Sequence, residues 1–182
     1  MINNQSTRRE LLLGCGSSRI KKITPDGDRN WHNLVTLDFN DHHKPDVVHD
    51  LNIIPLPFED EYFDAIYAFE VLEHIGTQGD FKFFCNEFSD FYRILKPNGF
   101  ICGTCPLPNN SWTYGDIGHT RQISRESFHF LDQTNYTNEI GKTTMTDYRF
   151  IYKADFKLVW SKDNGNGWQF VLQAIKPSRI SI

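Results

Sequence analysis

Five short apolar segments constrain the fold of this chain more than any other feature of its sequence. They are rich in β-branched and aromatic residues, have the length of strands, and are separated by turn residues and by stretches with helical periodicity. Such an alternation is typical of an α/β fold with a mainly parallel sheet. The predicted strands are Glu10–Leu13, Leu34–Asp38, Asp46–His49, Phe63–Phe69 and Phe100–Thr104.

One long helix and a C-terminal hairpin complete the predicted elements. The helix covers Asp80–Lys96, where apolar residues recur every three or four positions, and Pro97-Asn98-Gly99 ends it. Near the C-terminus, Phe156–Trp160 and Trp168–Ile175 flank an Asn- and Gly-rich turn, which indicates an antiparallel hairpin. Residues 141–153 carry no pattern that assigns them to an element. Together the segments predict a seven-stranded sheet in which the first five strands are parallel.

Length and charge narrow the class of protein. With 182 residues the chain has room for one hydrophobic core, so we expect residues 1–182 to form a single domain. The chain has 19 Lys and Arg residues against 23 Asp and Glu residues, a formal net charge of −4. This balance disfavours a protein that binds nucleic acid through its phosphates.

The sequence shows no sign of export or of membrane insertion. No apolar run is long enough to cross a bilayer, and no apolar stretch follows the charged N-terminus as a signal peptide requires. Four cysteines are too few for a disulfide scaffold. These features predict a cytoplasmic protein without a membrane span.

A glycine turn after the first strand and an acidic residue at the end of the second indicate a nucleoside site. The turn Gly14-Cys15-Gly16 lets the backbone approach a ligand at the strand ends. Asp38 stands where α/β folds that bind nucleosides place an acid on the ribose hydroxyls. Either feature alone is weak, and the two together favour a bound nucleoside.

Further motifs give the chain a resemblance to a known family. Between about residues 10 and 106 the sequence resembles class I S-adenosylmethionine-dependent methyltransferases, and it looks most like the methyltransferase type 11 group. This resemblance implies a Rossmann-like fold with helices on both faces of the sheet, and S-adenosylmethionine as the cofactor. Many relatives have an N-terminal lid before the first strand, whereas this sequence starts almost at that strand. We therefore expect a domain without an extended lid, whose cofactor face a second copy of the chain can cover. The motifs are Gly14–Gly16, Asp38, Asp50-Leu51, Pro57-Phe58, Phe63-Asp64, Val71–His74 and Leu95–Gly99.

The resemblance also implies the residues that contact the cofactor. The glycine turn would lie against the methionine part, the acid of the second strand on the ribose, and the acid after the third strand on the adenine amino group. The sequence departs from the family at Leu12, where an acid is frequent, and in having no third glycine after the turn. The implied cofactor residues are Gly14, Cys15, Gly16, Asp38, Phe39, Asp50, Leu51 and Phe69.

The motif after the fourth strand raises the question of catalysis. Glu70, Glu73 and His74 stand at positions i, i+3 and i+4, so a helix there would place them on one face. His119 follows in a loop before a short helix that Ser124 is placed to cap. Similar Glu-x-x-Glu-His groups bind a divalent metal in small-RNA 2′-O-methyltransferases and ubiquinone-pathway O-methyltransferases. The resemblance implies Mg²⁺ or Mn²⁺ on Glu70, Glu73, His74 and His119.

Alternatives to this metal site stay open. His74 or His119, with Glu70, can serve as a catalytic base without a metal, and purely structural roles are a third interpretation. The carboxylates and imidazoles suit an oxygen or nitrogen acceptor. The net negative charge favours a small molecule or glycan over RNA, whereas the Glu-x-x-Glu-His group with His119 favours RNA. A metal-dependent RNA 2′-O-methyltransferase and a non-catalytic binding module are rival functions. A nicotinamide oxidoreductase, suggested by Tyr92 and Lys96 as Tyr-x-x-x-Lys, is a minor one because no catalytic serine precedes them.

Three smaller signals are interpreted without a role in catalysis. Cys102 and Cys105 are three apart on a strand, so they point to opposite faces and are expected in the core. His42-His43 is interpreted as a solvated turn. Trp112 and Tyr114 lie after the fifth strand, where aromatic residues either line an acceptor pocket or pack as a lid.

Overall fold

The computed structural model describes residues 7–180, which form a seven-stranded sheet of order β3-β2-β1-β4-β5-β7-β6. Strands β1 to β5 are parallel, and β7 and β6 add to β5 as an antiparallel hairpin. The predicted sheet is confirmed, and three predicted strands have the predicted bounds. The strands are β1 (Glu10–Leu13), β2 (Leu34–Asp38), β3 (Val47–Val48), β4 (Phe63–Phe69), β5 (Leu95–Pro106), β6 (Phe156–Asp163) and β7 (Gly167–Ala174).

The hairpin strands β6 and β7 differ from their predicted bounds by up to three residues, and β3 and β5 differ in kind. β3 is confined to Val47–Val48 because the side chain of Asp46 accepts hydrogen bonds from the amide and hydroxyl of Thr36, at 2.8 and 2.7 Å, instead of continuing a backbone ladder. β5 begins at Leu95, immediately after the helix, and contains an irregularity opposite Phe63. The Asn98 backbone has a φ of 61°, so the expected turn is present inside the strand.

Apart from one 3₁₀ turn after β2, the helical segments of the described chain lie after β4 and after β5. The long helix α1 covers Phe81–Ile94, and the side chain of Asp80 accepts a hydrogen bond from the amide of Phe83 at 2.9 Å. The short helix after Ser124 begins as predicted, although Ser124 makes no capping hydrogen bond. Residues 141–153 consist of turns and irregular structure. The other helices are α2 (Trp112–Gly115), α3 (Gln133–Glu139) and the 3₁₀ helices Asp41–His43, Leu72–His74 and Arg125–Leu131.

The prediction of helices on both sheet faces holds for one face only. Helix α1 and the segments after β5 pack their apolar residues on the larger core. The opposite face is covered by residues 14–33, which contribute Ile23 and Trp31, and no helical residue of the described chain joins that cluster. The reason is local, because residues 17–33 have no apolar helical period and contain Pro25 and Gly27, the latter at a φ of 82°.

Buried polar contacts hold this irregular segment on the sheet. The ammonium group of Lys21 lies 2.9 Å from the carboxylate of Glu10, and both side chains are fully buried. The same carboxylate accepts hydrogen bonds from the hydroxyl of Tyr67 and from the amide of His32, each at 3.0 Å. A buried ion pair with these extra hydrogen bonds therefore fixes this loop on the sheet face that carries no helix of the described chain.

No helix within residues 7–180 has the length and the apolar composition needed to span a membrane.

Candidate active site

A cleft of about 540 Å³ opens at the carboxyl ends of the central parallel strands. This edge is where open α/β sheets bind ligands. Three of the predicted cofactor residues, Cys15, Gly16 and Phe69, do not line the cleft itself. The predicted site residues that do line it are Gly14, Asp38, Phe39, Asp50, Leu51, Glu70 and His74.

The glycine turn is held close to the neighbouring strand. Gly14 and Gly16 have φ angles of 51° and 50°, in the left-handed region that favours glycine. A Cβ atom on Gly14 would lie 2.6 Å from a methyl group of Val71, so a larger residue cannot be placed there without movement. The amide of Cys15 donates to the carbonyl of Leu37 at 3.2 Å, which joins the turn to β2.

Asp38 is the buried acid of the cleft. One carboxylate oxygen accepts a hydrogen bond from the amide of Gly16 and the other from the amide of Asn40, both at 2.9 Å. Two amides therefore fix the orientation of the carboxylate, and each oxygen keeps a lone pair for a further donor. This arrangement suits a pair of ligand hydroxyl groups.

The outer wall of the cleft carries Phe39 and Asp50. The side chain of Phe39 is 75% exposed and available to lie against a ring. Asp50 accepts two hydrogen bonds from the backbone amide and the side-chain amide of Asn52, both at 2.9 Å. These bonds stabilise the ionised form and lower the pKa of Asp50.

His43 corrects the interpretation of the histidine pair as a solvated turn. His42 is exposed as expected, whereas His43 lines the cleft, with its Nδ1 3.2 Å from the hydroxyl of Ser17. His49 lines the cleft as well. The sequence carries no spacing signal for either residue, because their positions depend on the short 3₁₀ helix and on Lys44 in the left-handed region.

Glu70, Glu73 and His74 do not share a helical face as predicted. Glu70 has a φ of 58°, which breaks the regular backbone after β4, and a 3₁₀ helix follows at Leu72–His74. In consequence Glu73 points into the protein and is buried, while His74 is exposed. A positive φ at a non-glycine residue stores backbone strain, which is frequent at functional sites.

Tertiary contacts nevertheless bring Glu73, His74 and His119 together. One nitrogen or oxygen atom from each lies within 4.8 Å of the other two. The two imidazole rings are 4.6 Å apart between centroids and inclined at 73°. Glu70 lies outside this group of three, although its charge acts on Glu73.

Backbone carbonyl groups determine the tautomers of both histidines. Nδ1 of His74 lies 3.1 Å from the carbonyl oxygen of Gly118, and Nδ1 of His119 lies 3.1 Å from that of Thr113. A carbonyl oxygen only accepts, so each Nδ1 carries the hydrogen and each neutral ring offers the lone pair of Nε2. The carboxylate of Asp116 lies 3.9 Å from Nε2 of His119.

Glu73 is a buried carboxyl group without a hydrogen-bond donor. Both oxygens are buried, and no donor of the described chain meets them with hydrogen-bonding geometry. Burial, with the negative charge of Glu70 added, raises the pKa of Glu73 to about 8. An unpaired buried carboxylate is costly, so this group requires either a proton or a cation.

Arg121 is a residue of the site that the sequence analysis missed. Its Nε donates to the carbonyl of Leu72 at 2.9 Å, and its Nη2 donates to both oxygens of Glu87, at 2.9 and 2.7 Å. Because Leu72 precedes His74 by two residues and Arg121 follows His119 by two, this buried pair joins the segments that carry the imidazoles. The acidic Glu87 interrupts the apolar face of α1, and this is the sequence signal by which a buried cationic partner such as Arg121 could have been found.

The fold and the cleft define a class of protein, and comparison with known proteins agrees. A parallel sheet with an antiparallel C-terminal hairpin, a glycine turn after β1 and an acid ending β2 together define the class I S-adenosylmethionine-dependent methyltransferases. The chain belongs to the methyltransferase-domain family, of type 11, whose model matches residues 11–103. It is therefore an S-adenosylmethionine-dependent methyltransferase.

Solved structures with the same fold are distant in sequence. A S-adenosylmethionine-dependent methyltransferase from Archaeoglobus fulgidus is 16% identical, with a TM-score of 0.58, over 93% of this chain and 87% of that one. The N-methyltransferase NodS from Bradyrhizobium japonicum is 13% identical, with a TM-score of 0.54, and the match covers 93% of this chain and 86% of NodS. Phosphoethanolamine N-methyltransferase 1 from Haemonchus contortus, with phosphoethanolamine and S-adenosylhomocysteine, is 10% identical, with a TM-score of 0.59, over 96% and 41%. The comparison with curated proteins gives no match.

Proposed function

We propose that this methyltransferase transfers the methyl group to an oxygen or nitrogen atom of a small molecule or glycan. This proposal rests on one observation: Glu73, His74 and His119 lie together, and His74 also lines the cleft. When bound, S-adenosylmethionine supplies an electrophilic methyl group, so the protein mainly has to align the acceptor with it. The location in the cytoplasm, the single domain and a second copy covering the cofactor face remain predictions.

The cleft fits the nucleoside of the cofactor through Asp38. Its carboxylate is already oriented by two amides and keeps lone pairs for the ribose hydroxyls. Asp50 and Leu51 would meet the adenine edge, with Phe39 against its ring. The turn Gly14–Gly16, including Cys15, would lie along the methionine part, with Phe69 and Glu70 bordering the methyl group.

The imidazoles provide the proton chemistry. The lone pair on Nε2 of His74 or His119 can accept the proton of a hydroxyl or protonated amine as the acceptor loses it. Because their Nδ1 atoms are hydrogen-bonded to carbonyl groups, both rings are held with that lone pair available. A carbon acceptor would make no use of this arrangement.

The same three residues fit a divalent cation. The buried carboxyl group of Glu73 lacks a donor, and two imidazoles with available Nε2 atoms stand beside it. One carboxylate with two imidazoles suits Mn²⁺ or Zn²⁺ better than Mg²⁺, which prefers oxygen ligands. A cation bound here would lower the pKa of an acceptor hydroxyl. Glu70 stands next to Glu73 and is the fourth candidate ligand.

Methylation of an RNA 2′-hydroxyl is the second candidate function. The pair of imidazoles beside a carboxylate favours it, since a metal on these groups suits a ribose hydroxyl. The net charge of −4 argues against it, because RNA binding gains from cationic side chains along the phosphates. For this reason the small molecule or glycan remains the first choice.

Calorimetric titration with S-adenosylhomocysteine, with Mn²⁺ and after chelation, tests the cofactor and the metal separately. We expect binding at micromolar concentration or tighter, and heat from Mn²⁺ that disappears in His74→Ala and His119→Ala. His129→Ala is the matched control, since His129 is an exposed histidine paired with Glu139 away from the cleft. Absence of S-adenosylhomocysteine binding under every condition would leave a non-catalytic binding module, and Mn²⁺ heat unchanged in both variants would refute the metal site.

A further inference from the structure

A second cleft, of about 270 Å³, lies on the far side of the segments that carry the two histidines. The segments 74–78 and 119–122 run side by side, since the amide of Gln78 donates to the carbonyl of Thr120 at 3.2 Å. His74 in the first segment and Gly118, just before the second, border the cofactor cleft, whereas residues 77–78 and 121–122 border the second cleft. A molecule in the second cleft therefore stands beside the catalytic residues but outside the cofactor site.

Aromatic side chains form the walls of this second cleft. Phe81 stacks on Tyr148, with ring centroids 5.1 Å apart and planes inclined at 29°. Phe130 meets the edge of Tyr148 at 5.6 Å, and Phe84 also lines the cleft. The exposed Tyr114 reaches its rim, where the hydroxyl group donates to Gln122 at 3.1 Å. Aromatic walls of this kind favour a flat ring.

Arg121, Gln78 and Gln122 leave hydrogen-bond donors available in the cleft. The side chain of Arg121 is only 4% exposed, and its Nη1 donates to no group of the described chain, whereas Nε and Nη2 are both used. The side-chain oxygen of Gln78 accepts from the amide of Gln122 at 2.8 Å, and that of Gln122 accepts from Tyr114. Both side-chain NH₂ groups thus remain as donors, and a ligand must supply acceptors.

The cleft carries no unbalanced positive charge. Arg121 is the cationic side chain among its lining residues, and the carboxylate of Glu87 neutralises it with two hydrogen bonds. The acidic Asp80 at the rim caps α1. A phosphate or carboxylate group would therefore find no unpaired cation, which indicates an uncharged ligand.

We propose that the second cleft binds a planar, uncharged ring that carries carbonyl or hydroxyl oxygens, as the distal part of the methyl acceptor. The ring lies against the aromatic wall that Phe81 and Tyr148 form, and its oxygens accept from Nη1 of Arg121 and from the two glutamine amides. The assignment to the methyl acceptor rests on the proposed function, whereas the ring site does not. A phenolic compound and a nucleobase share this chemistry, so the test uses both.

Saturation-transfer NMR with phenol, uracil and cyclohexanol tests the ring site. We expect phenol or uracil to bind with a dissociation constant of roughly millimolar, as befits such small probes. Cyclohexanol, which has the hydroxyl group without the flat ring, is expected to bind about tenfold more weakly. Binding of phenol alone would identify the ligand as a phenolic compound, and binding of uracil alone would identify it as a nucleobase. Failure of both, or equal binding of cyclohexanol, would overturn the proposal.

Variants locate the bound probe. Phe81→Ala should weaken its binding about fivefold or more, and Gln122→Leu should weaken phenol or uracil about fivefold, because it removes a donor to the ligand oxygen. Phe150→Ala is the matched control, because Phe150 is an exposed phenylalanine outside the cleft. Thermal melting of each variant checks that it is folded. Equal weakening by Phe150→Ala, or no weakening by Phe81→Ala, would place the probe elsewhere.

Competition separates this inference from the proposed function. Saturating S-adenosylhomocysteine should leave the probe bound, because the two clefts are distinct; displacement would put the probe in the cofactor cleft and refute the ring site. If the probe binds and S-adenosylhomocysteine does not, the ring site stands while the proposed function fails. If only S-adenosylhomocysteine binds, the proposed function stands and the ring site fails.

Discussion

At the scale of single residues, two carboxyl groups of the site are held in opposite ways. Asp38 is buried with two amide donors, so its ionised form is satisfied and oriented. Glu73 is buried, and within residues 7–180 no donor meets its oxygens with full hydrogen-bonding geometry, although the Cys105 thiol lies close; its pKa is raised to about 8. A carboxylate that is already oriented suits binding of a neutral hydroxyl pair, and an unsatisfied one suits a cation or a proton.

Replacing Asp38 should weaken cofactor binding without unfolding the protein. Asp38→Ala removes two charge-assisted hydrogen bonds to the ribose, so we expect S-adenosylhomocysteine affinity to fall by roughly 30-fold or more in calorimetry. Asp41→Ala changes an exposed acid in the same loop and should leave the affinity unchanged. Equal affinities for the Asp38→Ala variant and the unaltered protein would show that the ribose lies elsewhere.

Glu73 makes the stability of the metal-free protein fall as the pH rises. Its pKa is raised in the folded state, so between about 4.5 and 8 the folded protein holds a proton that the unfolded chain has lost. In the presence of a chelator, Glu73→Gln should therefore gain stability relative to the unaltered protein across this range, by at least about 1 kcal/mol at pH 8. Urea unfolding at several pH values measures it. Glu59→Gln, at an exposed position, should show no such trend, and a flat difference for Glu73→Gln would contradict the prediction.

At the scale of elements, two buried ion pairs fix irregular segments in place. The pair Lys21–Glu10 holds the irregular segment 17–33 on the sheet, and that segment follows the glycine turn directly. The pair Arg121–Glu87 joins the segments of the two histidines. Each pair is buried, so removing one partner leaves the other charge poorly compensated, although Glu10 also pairs with Arg8 at 2.8 Å.

Loss of the Lys21 ammonium group should destabilise the fold strongly. Lys21→Met removes the fully buried cation of Glu10 and leaves the partly exposed Arg8 as its partner, and we expect the free energy of unfolding to drop by about 3 kcal/mol. Chemical denaturation provides the measurement. Lys22→Met removes the same charge from an exposed neighbour and should cost less than about 1 kcal/mol. Similar losses for the two variants would mean that the buried pair does not anchor the segment.

Neutralising Glu87 should affect both stability and the site. Glu87→Gln leaves the guanidinium group of Arg121 buried with a weaker partner, so the free energy of unfolding should fall by roughly 3 kcal/mol. Because this pair positions His119 relative to His74, Mn²⁺ affinity should fall as well. Asn86→Ala, on the exposed side of α1, is the control for both measurements. Unchanged Mn²⁺ affinity in a folded Glu87→Gln protein would restrict the pair to a structural role.

At the scale of the whole molecule, the sheet has two unequally covered faces and one functional edge. Helix α1 and the segments after β5 build the larger core, and residues 14–33 cover the other face. Both clefts open at the edge where the parallel strands end, on either side of the histidine segments. The described chain thus combines the candidate cofactor cleft with an adjoining cleft.

The sequence by itself determined the strands β1, β2 and β4, the C-terminal hairpin, the glycine turn and the acid at position 38. These features depend on local patterns, namely runs of β-branched residues, turn chemistry and the residue type at a strand end. The predicted helix was placed within two residues of its observed ends, Phe81 and Ile94, for the same reason.

Only the tertiary structure decided which face lacks helices and which side chains meet at the site. His119 and Arg121 reach Glu73 and His74 through contacts between residues more than 40 positions apart, and no local pattern encodes such contacts. The predicted helical face at Glu70–His74 failed because a left-handed residue interrupts the backbone at Glu70. Local propensity selects elements, whereas burial and pairing of charges between distant segments select their arrangement.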